Sequence, residues 1–234
     1  MSEQREPVEV TLPDGNGVKM RFCHIPAGSF RMGQRGKRAR EEPVTEVNVE
    51  EFWMAEIPVT QEQFAAWRKT EDYERWFEEN DSAELHENDF KNQAKNPAYS
   101  VTWWEGCAFG EWLQREGVLA EFLEKAALPV DEGWHFNLPT EVQWERACRG
   151  GTETDYFSGD GEAALEEVGW FEKNSKGKTH PVREKQRPNG YGLHDLHGNV
   201  WEWCRDDWNG ERAPLRLGII YLPHMNRLLK FVHV

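Results

Sequence analysis

Residues 186–208 read QRPNGYGLHDLHGNVWEWCRDDW, and the fold turns on this stretch. Pro188, Gly190 and Gly192 force tight backbone, because glycine enters left-handed conformations at no steric cost. His197-Gly198-Asn199-Val200-Trp201-Glu202 then sets one carboxylate among a compact run of main-chain carbonyls. Hard cations such as Ca²⁺ take that all-oxygen mixture. On residue types alone a second reading stands beside it: Asn199 and Glu202 bond loop backbone and hold no ion. A transition-metal site built from His194, His197, Cys204 and Asp206 is a weaker alternative. Histidines three apart suit one helix face, and the glycines around them argue against helix. A Cys–His nucleophile pair is weaker still.

Outward from this stretch, the whole chain favours irregular structure. It has 234 residues, enough for a real core in one large domain. Twelve Trp and twelve Phe exclude a disordered chain, and large flat side chains suit a fold in which they pin irregular backbone. The net charge of −14 argues against a nucleic-acid backbone or an anionic membrane as partner. No stretch approaches the roughly 20 apolar residues of a transmembrane helix. The opening MSEQREPVEV has no apolar core of a signal peptide, so a cytoplasmic location is expected. Cys23, Cys107, Cys148 and Cys204 are scattered without a CxxC pair and read as buried thiols. No phosphate loop, GxGxxG or GxSxG occurs.

Along the chain, 8–12 and 18–25 read as strands around a tight turn at Asp14-Gly15-Asn16-Gly17, and 47–54 (VNVEEFWM) reads as one further strand. Three helices open on capping boxes, at Thr60–Gln63, Thr102–Glu105 and Thr140–Gln143, the last ended by Gly150-Gly151. Helical spacing of Phe64, Trp67, Phe109 and Trp112 favours core packing over a ligand-stacking platform. Residues 71–96 read as an acidic surface insertion with a short helix around Tyr73–Glu79, and 151–190 as irregular structure held by side chains. The tail, 212–234, differs from the rest: Arg212, Arg216, Arg227 and Lys230 stand without an acid, and every Trp precedes it. It reads either as a basic segment docking on an acidic body or as an altered ending. Residues 217–222 are expected to be strand-like, the region after Pro223 poorly packed and the isolated chain marginally stable.

Several blocks now carry a resemblance. Ile25-Pro26-Ala27-Gly28-Ser29-Phe30-Arg31-Met32-Gly33, Glu42-Pro43, Pro58-Val59-Thr60-Gln61 with Phe64, residues 96–112 (NPAYSVTWWEGCAFGEW), Leu138–Ala147 (LPTEVQWERA) and Asn189–Trp203 follow in order. Together they resemble the formylglycine-generating enzyme, or sulfatase-modifying factor, family from about residue 22 to 209. The resemblance implies an α+β, C-type-lectin-like sulfatase-modifying-factor domain, loop-rich and often calcium-bound, over 1–211, with 212–234 an atypical tail. It implies a Ca²⁺ site at His197, Gly198, Asn199, Val200 and Glu202. The family's second calcium site uses an Asn that Val168-Gly169-Trp170 replaces here, so one ion is expected.

The founding enzymes of that family oxidise a sulfatase cysteine with O₂ at two copper-binding cysteines in a C-terminal segment bearing "RGGS" and "GFR". Neither string occurs here, and no cysteine follows Cys204. Copper is therefore not expected, and no catalytic residue carries over. Relatives that make sulfoxides bind iron through an added helical domain, which nothing before residue 22 matches. Others display ligands only. The expectation is a noncatalytic or C-terminally truncated member, a calcium-stabilised binding module with a protein or peptide partner. The alternatives are a copper-dependent formylglycine-forming oxidase and an iron-dependent sulfoxide-synthase-type oxidoreductase.

Overall fold

The computed structural model describes residues 4–13, 16–34, 42–80, 93–130 and 132–206. Residues 212–234, and with them the expected strand at 217–222, lie outside the described residues. Strands β1 (Val8–Thr11), β2 (Lys19–Ile25) and β5 (Phe52–Ala55) form an antiparallel sheet in the order β1-β2-β5. Strands β3 (Gly28–Met32) and β4 (Thr45–Val49) pair separately. Helices α1 (Gln61–Arg68), α2 (Glu71–Glu79), α3 (Trp103–Arg115), α4 (Val118–Ala126), α5 (Glu141–Arg149) and α6 (Gly161–Val168) complete an α+β architecture.

The expected strand over 47–54 is two strands in two different sheets. Val47 pairs with Phe30 and Phe52 with Ile25, and the chain changes direction between them. Glu50 and Glu51 explain the break, since two adjacent carboxylates cannot continue a covered strand. Glu51 instead accepts a hydrogen bond from Nε2 of the fully buried His24, at 2.8 Å, while the Arg5 N–H donates to Nδ1. That bonding places the single imidazole proton on Nε2.

All three capping boxes form. The hydroxyls of Thr60, Thr102 and Thr140 accept from the N–H three residues on, and Gln63, Glu105 and Gln143 reach back to the cap N–H. Gly150 ends α5 in a left-handed conformation. The acidic stretch after Thr70 is less superficial than its composition implies. Tyr73 of α2 is buried edge-on against Trp67, and its hydroxyl donates to Glu105. Two helices lie where no helix is expected, α4 and, inside the irregular 151–190 region, α6.

Strand β2 divides the core. Met20 and Phe22 pack with Phe64, Trp67, Phe109, Trp112 and Phe122 of the helical layer. Cys23 and Ile25 point the other way, into a second cluster with Trp144, Ala147, Cys148, Leu193, Leu196 and Cys204. The first cluster is aromatic packing, as the helical spacing requires. The second carries the glycine-rich stretch and sets the site.

Replacing Thr102 by Ala removes the cap of α3 and leaves the Glu105 N–H without its partner. The expected loss is about 1 kcal/mol, read as a lower urea midpoint at unchanged slope. An unchanged midpoint would mean that the cap carries no stability.

Candidate functional site

The stretch from Pro188 to Asp206 contains no regular secondary structure, so side chains satisfy its buried backbone. The Asn189 amide donates to the Ala147 and Cys148 carbonyls of α5 and accepts from the N–H groups of Tyr191 and Leu193. Farther on, Trp103 donates to the Cys204 carbonyl and Trp203 to the Val101 carbonyl, which ties the stretch to the start of α3. The Asp206 carboxylate accepts from the Glu141 N–H at 2.5 Å, and the Arg205 N–H donates to Pro139, which ties it to the start of α5.

Between these anchors, His197–Asn199 runs in main-chain contact with Gly169-Trp170. Trp170 and Gly198 form a parallel bridge, and the Asn199 N–H donates to the Trp170 carbonyl at 2.8 Å. A side chain at Gly198 (φ +99°) would place its Cβ 2.2 Å from that carbonyl. One at Gly169 would lie 2.0 Å from the His197 carbonyl. Both glycines are demanded by close approach.

The expected metal residues fall into different roles. Asn199 (φ +68°) accepts from the His180 N–H at 2.9 Å and donates to the His180 carbonyl at 3.0 Å, so its amide supports the neighbouring loop. His197 is buried between Tyr156 and Phe157. Its Nε2 accepts from the Phe157 N–H at 3.3 Å, so its proton sits on Nδ1, 3.6 Å from the Cys148 sulfur. Burial, with a smaller contribution from Arg149, holds the ring down at about 4, so it is neutral at pH 7. The Gly198 carbonyl accepts from the Val200 N–H at 2.9 Å and closes a tight turn.

Glu202 accepts from the Trp144 indole N–H at 2.8 Å. Burial lifts its carboxyl to about 7 against that hydrogen bond, and the charge of Asp195 lifts it further. Asp195 is itself buried, in left-handed backbone (φ +59°), accepting from the Arg183 N–H at 2.6 Å, and burial raises its carboxyl too. The Asp195 charge thus acts on the half-buried Glu202, and no cationic side chain hydrogen-bonds either carboxylate among the described residues. Carboxylates beside main-chain carbonyls are the donor chemistry that a hard divalent cation takes. Asp195 escaped the sequence reading. Its signal was an acid seven residues before Glu202 inside the same glycine-rich stretch.

The alternative of His194, His197, Cys204 and Asp206 as one metal site is not assembled. His197 lies against Cys148, Asp206 bonds the start of α5, and the His194 N–H donates to Glu56. Among the described residues no group of three or more His, Cys, Asp and Glu is placed to hold a metal. The four cysteines form no disulfide, and they sit on β2, α3, α5 and the 186–206 stretch. Burial raises the thiols of Cys23 and Cys148, and raises Cys107 to about 11, so these three are protonated at pH 7.

Beside the stretch lies a cavity of about 570 Å³, bounded by β5, residues 134–139 and residues 200–205. Phe52, Phe136, Leu138, Leu196 and Trp203 make its walls largely apolar, and Trp201 stands half exposed at the edge.

Residues 12–230 match the family model described as "Sulfatase-modifying factor enzyme 1-like domain". The chain is 30% identical to "Inactive C-alpha-formylglycine-generating enzyme 2" of Bos taurus, over 87% of this chain and 76% of that protein. It is 29% identical to "Formylglycine-generating enzyme" of Mus musculus, over 79% of this chain and 57% of that one. Among solved structures it is similar to "Treponema denticola variable protein 1", with a TM-score of 0.65 and 25% identity over 92% of this chain and 80% of that one.

Glu202 and His197 give opposite pH signatures. The folded Glu202 carboxyl, at about 7, holds its proton more tightly than an ordinary glutamate at 4.5. Its stabilisation is complete below 4.5 and is lost as pH rises through about 7. His197, lowered from 6.5 to about 4, stabilises above 6.5 and loses that contribution as pH falls toward 4. In chelator, Glu202→Gln removes the first effect alone. Between about pH 5 and about pH 8 wild type should lose on the order of 2 kcal/mol relative to the variant in thermal unfolding. Parallel pH profiles would refute the raised Glu202 carboxyl.

Proposed function

The chain belongs to the sulfatase-modifying factor family, and we propose that it is a noncatalytic member, a calcium-stabilised binding module whose partner is a protein or peptide. The observation that carries this reading is the separation of its thiols. The family's oxidation needs two thiolates converging on one copper ion, because copper(I) selects soft sulfur ligands. Here Cys23 bonds the Gly192 carbonyl, Cys148 sits against His197, and Cys107 and Cys204 lie on different elements. The relative whose name calls it inactive, similar over most of this chain, supports the same reading.

Calcium belongs to this reading as a structural ion. Glu202 would supply a carboxylate, and His197, Gly198 and Val200 main-chain oxygens, with the Asn199 amide bracing the loop. Asp195 joins them as a second carboxylate. The ion would supply no chemistry beyond charge: it would offset the carboxylates of Glu202 and Asp195 and so fasten an irregular stretch. The aromatic cavity beside it is the face on which a partner would rest. Four cysteines outside any disulfide support a reducing compartment such as the cytoplasm.

Titration of chelator-treated chain with Ca²⁺ should release or absorb measurable heat and raise the melting temperature. Glu202→Gln should weaken binding at least about tenfold, as expected for loss of a charged ligand. No heat and no gain in melting temperature would remove calcium from the reading. Separately, a cysteine-containing sulfatase peptide incubated with the chain, Cu(I) and O₂ should yield no formylglycine by mass spectrometry. Turnover abolished by Cys204→Ser would establish the oxidase alternative.

A further inference from the structure

Helix α5 is tied to the glycine-rich stretch at both of its ends. At its start the Arg205 N–H donates to the Pro139 carbonyl at 2.8 Å, and the Asp206 carboxylate accepts from the Glu141 N–H. At its end the Asn189 amide bonds the carbonyls of Ala147 and Cys148. Between these ties stands Trp144. Its backbone is fixed by the Thr140–Gln143 capping box, and its ring is buried in the cluster that holds Ile25, Leu193 and Leu196. The direction of its indole N–H is therefore set by the fold, and Oε2 of Glu202 lies 2.8 Å along it.

A glutamate carboxylate turns easily about its last bond, because that torsion is broad and roughly two-fold. An N–H on one of its oxygens fixes the torsion, favours the ionised form and takes only one of the two oxygens. The neutrality of the donor matters as much as its position. Glu145 of the same helix is paired with Arg149, and Glu56 with Arg183. A guanidinium orients a carboxylate but also cancels the charge that a cation needs. The indole orients Glu202 and leaves its charge in place. Partners of this kind, one shell out from a metal, set the direction of the ligand they bond.

We propose that Trp144 is the positioning residue of the calcium site, its neutral N–H holding Glu202 in place as a charged ligand. The proposal rests on the calcium reading and adds to it the residue that orients its carboxylate.

The test uses the full chain freed of metal by chelator, Ca²⁺ itself, and the variant Trp144→Phe, which keeps an aromatic ring in the cluster and removes the donor. Calorimetric titration should show Ca²⁺ bound at least about tenfold more weakly by the variant than by the native chain. A tryptophan that only fills space would leave the chemistry of Glu202 unchanged. The pH dependence of unfolding in chelator separates the two roles. In Trp144→Phe the loss of stability that accompanies ionisation of Glu202 should move above about 7, because the hydrogen bond that favours the ionised carboxyl is gone. Should Trp144→Phe not fold, NMR of the Trp144 indole N–H in the native chain takes its place: the resonance should shift along the Ca²⁺ titration, with the calorimetric midpoint. Equal Ca²⁺ affinity in the variant, an unmoved pH profile, or an indole resonance that Ca²⁺ leaves in place each overturns the proposal and leaves the calcium reading standing. A native chain that binds no Ca²⁺ removes both.

Discussion

A buried polypeptide without helix or ladder must still match every main-chain N–H and C=O, and the amide of Asn189 meets that demand where it is greatest. It bonds two carbonyls at the end of α5 and two N–H groups of the following turn. The turn is thereby held to α5, and Leu193 and Leu196 enter the second core cluster. Asn199 and Asp195 repeat the device, bonding the backbone of His180 and of Arg183. An unmade bond of this kind costs roughly 1–3 kcal/mol. Three polar side chains thus replace what a strand would have supplied, and the site inherits their geometry.

The abundance of tryptophan follows from the same need. Trp67 and Trp112 fill the helical core, whereas Trp103 and Trp144 aim an indole N–H at the Cys204 carbonyl and the Glu202 carboxylate of the irregular stretch, and Trp203 of that stretch aims its own at the Val101 carbonyl before α3. An indole carries a wide apolar face and one directed donor, which is what pinning loop backbone to a helix requires. The two cores meet across β2, whose alternate residues serve the helices on one face and the loops on the other.

Within that frame the electrostatics of the second core are unbalanced in one place. His197 is held neutral by burial and is satisfied by its neighbours, so it needs no ion. Burial and the charge of Asp195 raise the Glu202 carboxyl, and Asp195, raised by its own burial, is held down only by the Arg183 N–H and charge, with no guanidinium or ammonium hydrogen-bonded to either among the described residues. Elsewhere the buried acid Glu56 is paired with Arg183. The contrast sets Glu202 and Asp195 apart from Glu56.

Much of this was legible in the sequence because it depends on local rules. Three Thr-led capping boxes, the β1–β2 pairing, the helical aromatic stripe and the glycine-rich stretch are set by residues a few positions apart, and each formed where its pattern stood. Asn199 and Glu202 were visible as polar groups of one turn. What they bond was decided by contacts of residues 19 and 58 positions away, His180 and Trp144. The break between β4 and β5 also escaped the alternation of 47–54. Alternation records which side a residue faces, and not which sheet receives it. The role of Asp195, and the cavity beside β5, exist only once β2, α5 and residues 134–139 come together. Burial and register are properties of the assembled chain, and they alone separate a carboxylate in water from one that must find a partner.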